Sequence, residues 1–188
     1  MKKVVKFGGS SLANAEQFQK VGDIIRSEES RRYVVPSAPG KRFSADTKVT
    51  DLLYACYDKA EAGEDFSDIL TEIKSRFYEI IKGLNLDLSL EEEFRQIEAD
   101  FKRHMQEKNE YAASRGEFLN GKVMAAYLGY EFIDSATVIR FDKNGNFDAD
   151  KTDKLLAKRL QKCERAVIPG FYGGMEDGTV KTFSRGGS

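Results

Sequence analysis

Lys3-Val4-Val5-Lys6-Phe7-Gly8-Gly9-Ser10-Ser11 decides how the rest of this chain is read. Residues 3–7 are rich in β-formers and run straight into two glycines, which predicts a short buried strand opening into a turn. Residues 14–27 follow with Phe18, Val21, Ile24 and Ile25 at helical spacing, and Asn14 or Ser11 is placed to cap their start. Consecutive glycines let backbone N–H groups converge and let a ligand come close. The following helix N-terminus adds partial positive charge. Lys6 adds a full charge, and the serine hydroxyls can donate. These parts suit a phosphate group, although spacing alone leaves a plain tight turn open. The segment is not a Walker A loop, because it lacks GxxxxGK[ST] and its lysine precedes the glycines.

Outward from this unit, Tyr33-Val34-Val35 reads as a second strand, stopped by Pro36 and Pro39 and followed by the polar loop 40–46. Thr50 is expected to cap a helix that runs to about Ala62-Gly63. Phe66, Ile69, Leu70, Ile73, Phe77, Ile80 and Ile81 form one apolar helical stripe; Leu90, Phe94, Ile97 and Phe101 form another. Ser89 is placed to cap the second, with Glu91, Glu92 and Glu93 where the helix dipole favours acid. Both stripes are packing surfaces. A further helix is expected from about Glu110 to Leu128, ended by Gly129. Residues 131–134, 138–141, 166–169 and 179–183 read as strands, with a turn at 143–146 and a helix from Asp150 to Cys163 whose Leu155, Leu156 and Leu160 point inward. Strands separated by helices predict an α/β fold with a parallel-rich sheet covered on both faces. The helical middle, about 64–110, is expected to sit to one side as an insertion.

The 188 residues are 40% apolar and include 13 Phe and 8 Tyr, enough for a sizeable core. Lys and Arg number 30 against 31 Asp and Glu, a net charge of −1, so no global field favours nucleic acid or an anionic membrane. No apolar run is long enough to cross a bilayer. The first residues carry charge where a signal peptide needs its apolar stretch. Cys56 and Cys163 stand far apart without a CxxC, and His104 is the only histidine. That excludes a His-based zinc site and argues against a structural zinc, a Ser-His-Asp triad and a Cys-His pair. His104, beside Lys102 and Arg103, is expected to be a solvated helix residue. Two lone cysteines fit a reducing, cytoplasmic setting. The glycine-rich stretch Ser184-Arg185-Gly186-Gly187-Ser188 reads like the middle of something, and the expectation is a fragment of a longer protein.

That stretch repeats the chemistry of residues 6–11. An arginine beside two glycines places a planar fork next to accessible backbone donors, which suits carboxylate or phosphate capture. Ser114-Arg115-Gly116-Glu117 puts a carboxylate at the start of a run that should be partly buried, where it wants a partner. A capping or surface Glu stays open as the plainer reading. Two other patterns are set aside. Residues 116–122 match GxxxxGK, but Val123 replaces the hydroxyl that must reach Mg²⁺, and the pattern is helical. Asp142, Asn144, Asn146, Asp148 and Asp153 have calcium-loop spacing, but Phe147 stands where the sharp turn needs Gly and Asp153 where a bidentate Glu is needed. A hairpin turn explains them better.

Taken in order, Lys6-Phe7-Gly8-Gly9-Ser10-Ser11, Val35-Pro36-Ser37-Ala38-Pro39-Gly40 with Thr50-Asp51-Leu52-Leu53, Ser114-Arg115-Gly116-Glu117, Pro169-Gly170-Phe171-Tyr172-Gly173 and Thr182-Phe183-Ser184-Arg185-Gly186-Gly187-Ser188 resemble the motifs of the aspartate kinases. The resemblance spans essentially the whole chain. It implies the amino-acid kinase (carbamate kinase-like) fold, a three-layer α/β/α sandwich, here truncated: the nucleotide half and the regulatory ACT domains are absent. It implies phosphoryl transfer from ATP to the side-chain carboxylate of L-aspartate, giving 4-phospho-L-aspartate on the route to lysine, threonine and methionine. It places Lys6, Gly8, Gly9 and Ser10 at the transferred phosphoryl group. Ser37, Thr50, Glu117, Phe171, Arg185 and Ser188 fall at the aspartate site. ATP and Mg²⁺ are the implied cofactors, with most metal ligands expected in the absent half. No protein metal site is assigned, and a homo-oligomer is expected of the full-length protein. Ser10 stands where Thr is commoner in the family and keeps the hydroxyl. Pro36 and Pro39 depart from its common form. Glutamate, acetylglutamate and uridylate kinases share the glycine-rich start and stay open as alternatives, as does a non-catalytic aspartate-binding fragment.

Overall fold

The structure, a computed structural model, describes residues 1–103 and 108–184. Strand β1 (Lys3–Phe7) ends at Gly8, and residues Gly9–Leu12 make one turn of 3₁₀ helix. Helix α1 (Ala15–Arg26) begins at Asn14, whose side-chain oxygen accepts from the Gln17 N–H at 3.0 Å, so Asn14 rather than Ser11 is the cap. Phe18, Val21 and Ile25 are buried along it, whereas Ile24 turns outward and is 48% exposed. Strand β2 (Arg31–Pro36) lies parallel to β1 with Lys6 opposite Val35.

Helices fill the middle: α2 (Val49–Glu61), α3 (Ser67–Gly83), α4 (Glu91–Lys102) and α5 (Lys108–Leu128). Two expected caps are displaced. Lys48 stands at the N-cap of α2, which puts Thr50 inside the first turn. Leu90 stands at the N-cap of α4, while the Ser89 hydroxyl accepts from the Glu91 N–H at 3.3 Å. Gly129 ends α5 with φ +68°, a left-handed stop that costs glycine little. His104 lies outside the described residues.

After α5 come β3 (Glu131–Phe132), the short helix α6 (Ser135–Val138), α7 (Ala149–Leu160), β4 (Ala166–Val167), β5 (Tyr172–Gly174) and β6 (Val180–Thr182). The expected strand at 138–141 is not one. Asp134 accepts from the Ala136 N–H and starts α6, leaving only single bridges at Arg140 and Phe141. The turn that follows is a hairpin: Asp142 Oδ1 accepts from the N–H groups of Asn144 and Asn146, each at 2.8 Å, and Phe141 bridges Phe147. Among the described residues no cluster of three His, Cys, Asp or Glu could hold a metal ion. Residues 116–122 lie within α5, as a helical reading of GxxxxGK requires.

The main sheet has the order β1-β2-β4-β3 and is parallel throughout; β5 and β6 form a separate antiparallel pair. Side chains alternate between its faces. Val34 and Val167, with Val5, Phe7 and Phe132, join Phe18, Leu53, Phe77, Phe94 and Leu119 in one continuous core that links the sheet to α1 through α5. Tyr33, Ala166 and Ile168 point the other way, toward Leu156 and Leu160 of α7. The result is three layers, helix–sheet–helix. The α7 side is only partly covered. Val4, Val35, Ile168, Phe171 and Phe183 line an apolar cleft of about 260 Å³ there, and Val4 is 67% exposed.

Candidate functional site

Parallel strands of an α/β sheet release their chains at the carboxyl edge, and ligands settle there. Here β1 leads into Gly8-Gly9-Ser10 and β2 leads into Ser37-Ala38-Pro39-Gly40. The two turns are joined: the Ser37 N–H donates to the Phe7 carbonyl at 3.0 Å, and the Gly40 N–H donates to the Gly9 carbonyl at 2.8 Å. The contact is too close for side chains. A Cβ on Gly40 would lie 2.6 Å from the Gly9 carbonyl carbon, and one on Gly9 would lie 2.8 Å from the Ala38 oxygen. Gly8 meets no such obstacle, and neither Gly8 nor Gly9 has a positive φ. Close approach, not left-handed backbone, therefore requires glycine at position 9.

Gly9, Ser10, the stretch from Ser37 to Lys41, Lys48, Thr50 and Glu117 line one cavity of about 420 Å³. Glu117 enters from α5, where Gly116 lets the helix approach: a Cβ there would sit 2.7 Å from that of Ala38. One turn on, Asn120 donates its side-chain N–H to the Ser37 carbonyl at 2.6 Å. Thr50 comes from the first turn of α2. Three distant parts of the chain thus meet around one space.

The electrostatics are bipolar. Glu117 is 7% exposed, and its Oε2 has no hydrogen-bond partner. Burial pushes its carboxyl up to about 7, against the opposing pull of the Ala38 backbone N–H and, less strongly, the charge of Arg115. A nearly dry carboxylate with an unused oxygen is a strong acceptor for an ammonium or hydroxyl ligand. Lys41 and Lys48 stand on the exposed rim of the same cavity. The space therefore offers a carboxylate within and two cations at the edge. That arrangement suits a zwitterion or a small anion that also carries donors.

The structure gathers Gly9, Ser10, Ser37, Thr50 and Glu117 of the expected residues. Lys6 and Gly8 adjoin this cavity in sequence without lining it. Lys6 is exposed and alternates onto the side of Val4. Phe171 is elsewhere: with a φ of +75° it lines the apolar cleft beside Tyr172. Arg185 and Ser188 lie outside the described residues. The sequence places Gly40 in a family motif without a role and Lys41 in a polar loop only, and it gives Lys48 and Asn120 no role. Asn120 had a signal: with Ala113, Gly116 and Glu117 it falls on one helical face, where a polar residue demands a partner.

The model of the "Amino acid kinase family" matches residues 1–188. The chain belongs to the amino acid kinase family. Within reach of that family, aspartokinase 3 of Bacillus subtilis (strain 168) is 37% identical over 99% of this chain and 44% of its own length. The chloroplastic aspartokinase 1 of Arabidopsis thaliana is 31% identical over 98% and 36%. The crystal structure of Clostridium acetobutylicum aspartate kinase superposes with a TM-score of 0.94 at 48% identity, covering all of this chain and 43% of that one. E. coli aspartokinase III, solved in complex with aspartate and ADP, superposes with a TM-score of 0.79 at 25% identity over 44% of its length. This amino acid kinase chain thus spans less than half the length of these relatives.

Proposed function

We propose that this chain is the aspartate-holding part of an aspartate kinase catalytic domain, which transfers the γ-phosphoryl group of ATP to the side-chain carboxylate of L-aspartate. The observation that carries the reading is the cavity: a glycine turn, three hydroxyl residues and a buried, under-satisfied Glu117 around a space of about 420 Å³, with lysines on its rim. The likeness to solved aspartate kinases supports it.

The chemistry needs no general base. A side-chain carboxylate with a pKa of about 4 is ionised at neutral pH. One of its oxygens bonds to the γ-phosphorus as the bond to the β-phosphate oxygen breaks, and ADP leaves. The protein's work is positioning and charge neutralisation. Glu117 accepts from the substrate ammonium; Ser37 and Thr50 orient the substrate from the other wall. Lys6 and the amides of Gly8, Gly9 and Ser10 face the phosphoryl group. Phe171 lines the separate apolar cleft and not the substrate cavity. Arg185 and Ser188, outside the described residues, are assigned to the aspartate site by the family motif alone. Among the described residues no group of three His, Cys, Asp or Glu could hold Mg²⁺.

Calorimetric titration of the 188-residue chain with L-aspartate and, separately, with ATP–Mg²⁺ tests the reading. Aspartate binding that Glu117→Ala abolishes is expected, and no aspartate binding at millimolar concentration overturns it. In the longer protein, Lys6→Ala is expected to lower kcat at least about a hundredfold, since a lost oxyanion partner costs roughly 3–4 kcal/mol. A panel of acceptors separates aspartate from glutamate, acetylglutamate and uridylate.

A further inference from the structure

Arg76 lies in α3, on the same face as Ile73, Phe77 and Ile80, and is 2% exposed. It does not touch the cavity. Its guanidinium donates from Nη2 to the Gly40 carbonyl at 2.7 Å and from Nη1 to the Thr47 carbonyl at 2.9 Å, and Nη1 stands 3.3 Å from Asp46 Oδ2. Those carbonyls bracket residues 41–46 of the loop between β2 and α2. Asp46 in turn accepts from the Arg42 backbone N–H at 2.8 Å and from Arg42 Nε and Nη2 at 3.0 Å each, and Arg42 Nη1 reaches Glu79 of α3 at 3.1 Å. Residues 40–47 are thereby fastened to the helix at both ends and within their span.

We infer that Arg76 is a positioning residue of the cavity: by holding the Gly40 and Thr47 carbonyls it keeps Gly40 against the Gly9 turn and sets Lys41 and Lys48 at the rim. The inference rests on the reading of this cavity as a site for an anionic amino acid and its phosphoryl donor. Burying a guanidinium carries a desolvation cost that an apolar side chain of like volume avoids. What the guanidinium adds is geometry. A planar fork reaches two carbonyls at once in fixed directions. A lysine has one ammonium on a flexible stem and cannot reproduce both contacts. The Gly40 N–H, whose own carbonyl Arg76 holds, donates to Gly9. Arg76 and the glycine turn are therefore coupled through a single peptide neighbourhood.

The test compares the 188-residue chain with Arg76→Lys and Arg76→Met by thermal unfolding, by amide hydrogen exchange across residues 38–50, and by titration with L-aspartate and ADP–Mg²⁺. Arg76→Lys is expected to unfold cooperatively within a few degrees of the parent, to speed Gly40 exchange at least about tenfold, and to weaken ligand binding by about tenfold. Arg76→Met is expected to do both more strongly. In the longer protein the loss should fall on KM for aspartate more than on kcat. A folded Arg76→Lys chain with unchanged Gly40 exchange and unchanged affinity overturns the inference. Should Arg76→Lys fail to fold, Asp46→Asn carries the test with the same expected rise in exchange, and an unchanged rate overturns it. A parent chain that binds neither ligand removes the proposed function, and the exchange rates then decide the clamp by themselves.

Discussion

Asn120 donates one side-chain hydrogen bond, of 2.6 Å, to the carbonyl of Ser37, while its own Oδ1 is buried without a partner. The contact joins residues far apart in sequence and holds the turn after β2 against α5. Asn120→Ala leaves the Ser37 carbonyl without this donor. The expected loss is about 1–3 kcal/mol of unfolding free energy, read from urea midpoints. Asn120→Asp, which faces that carbonyl with a second acceptor, should cost more. Equal stability of all three chains would show the contact to be idle.

Gly116 sets two effects against each other. Alanine in a helix interior gains up to about 1 kcal/mol over glycine. Its Cβ would, however, sit 2.7 Å from the Ala38 Cβ, and overpacking of this kind costs about 1–3 kcal/mol. The clash is expected to win. Gly116→Ala should therefore lower the denaturation midpoint and weaken aspartate binding, because the turn carrying Ser37 has to move. A stabilised chain would mean that the turn yields freely.

Glu117 predicts a pH dependence with a definite sign. Its folded-state pKa, about 7, lies above the ordinary carboxylate value of 4.5, so the folded state holds the proton more tightly than the unfolded chain. The associated stability is full below about pH 4.5 and is lost as pH rises through about 7, a difference on the order of 3 kcal/mol. Denaturant titrations at about pH 5 and pH 8 should show the parent losing stability relative to Glu117→Gln, which cannot titrate. Parallel pH profiles for the two chains would dismiss the shift. A bound ammonium should pull the same proton off, so aspartate binding near neutral pH is expected to release protons to the buffer.

The two thiols should separate cleanly. Cys56 is fully buried, its Sγ facing the Phe66 carbonyl at 3.7 Å, and burial pushes it up to about 12. Cys163 is partly exposed. Iodoacetamide is expected to modify Cys163 alone in the native chain and both in urea. Native modification of Cys56 would mean that α2 opens on its own.

Much of this molecule was readable from residue order. β-rich composition ending at glycine or proline located β1 and β2, and apolar residues at helical spacing located α1, α3 and α4, each of which buries one face. The failures have local causes. Residues 138–141 look like a strand by composition, but the side chain of Asp134 captures the Ala136 N–H and turns the chain into α6. Thr50 resembles a cap, yet the helix begins at Val49, one residue earlier. In the cavity, the glycines, Ser37, Thr50 and Glu117 could be named from motifs. Lys41 and Lys48 could not, since nothing in a polar loop says which way it folds. Arg76 left a trace that is easy to overlook: a charged residue in register with Ile73, Phe77 and Ile80 has to find buried acceptors. Which acceptors it finds depends on a tertiary contact no periodicity encodes.

Glu117 rides in the interior of a helix that runs from Lys108 to Leu128, not on a surface loop. Its backbone is pinned by the ladder on both sides, and Gly116 seats that part of the helix against Ala38. The acidic pole of the site is consequently an anvil. A guest must travel to it and match its distance. The opposing segment between Ser37 and Lys48 is itself held, by Asn120 at the Ser37 carbonyl and by Arg76 at the carbonyls of Gly40 and Thr47. On the proposed reading, two held walls make one methylene more or fewer between a guest's ammonium and its far carboxylate an expected difference in affinity.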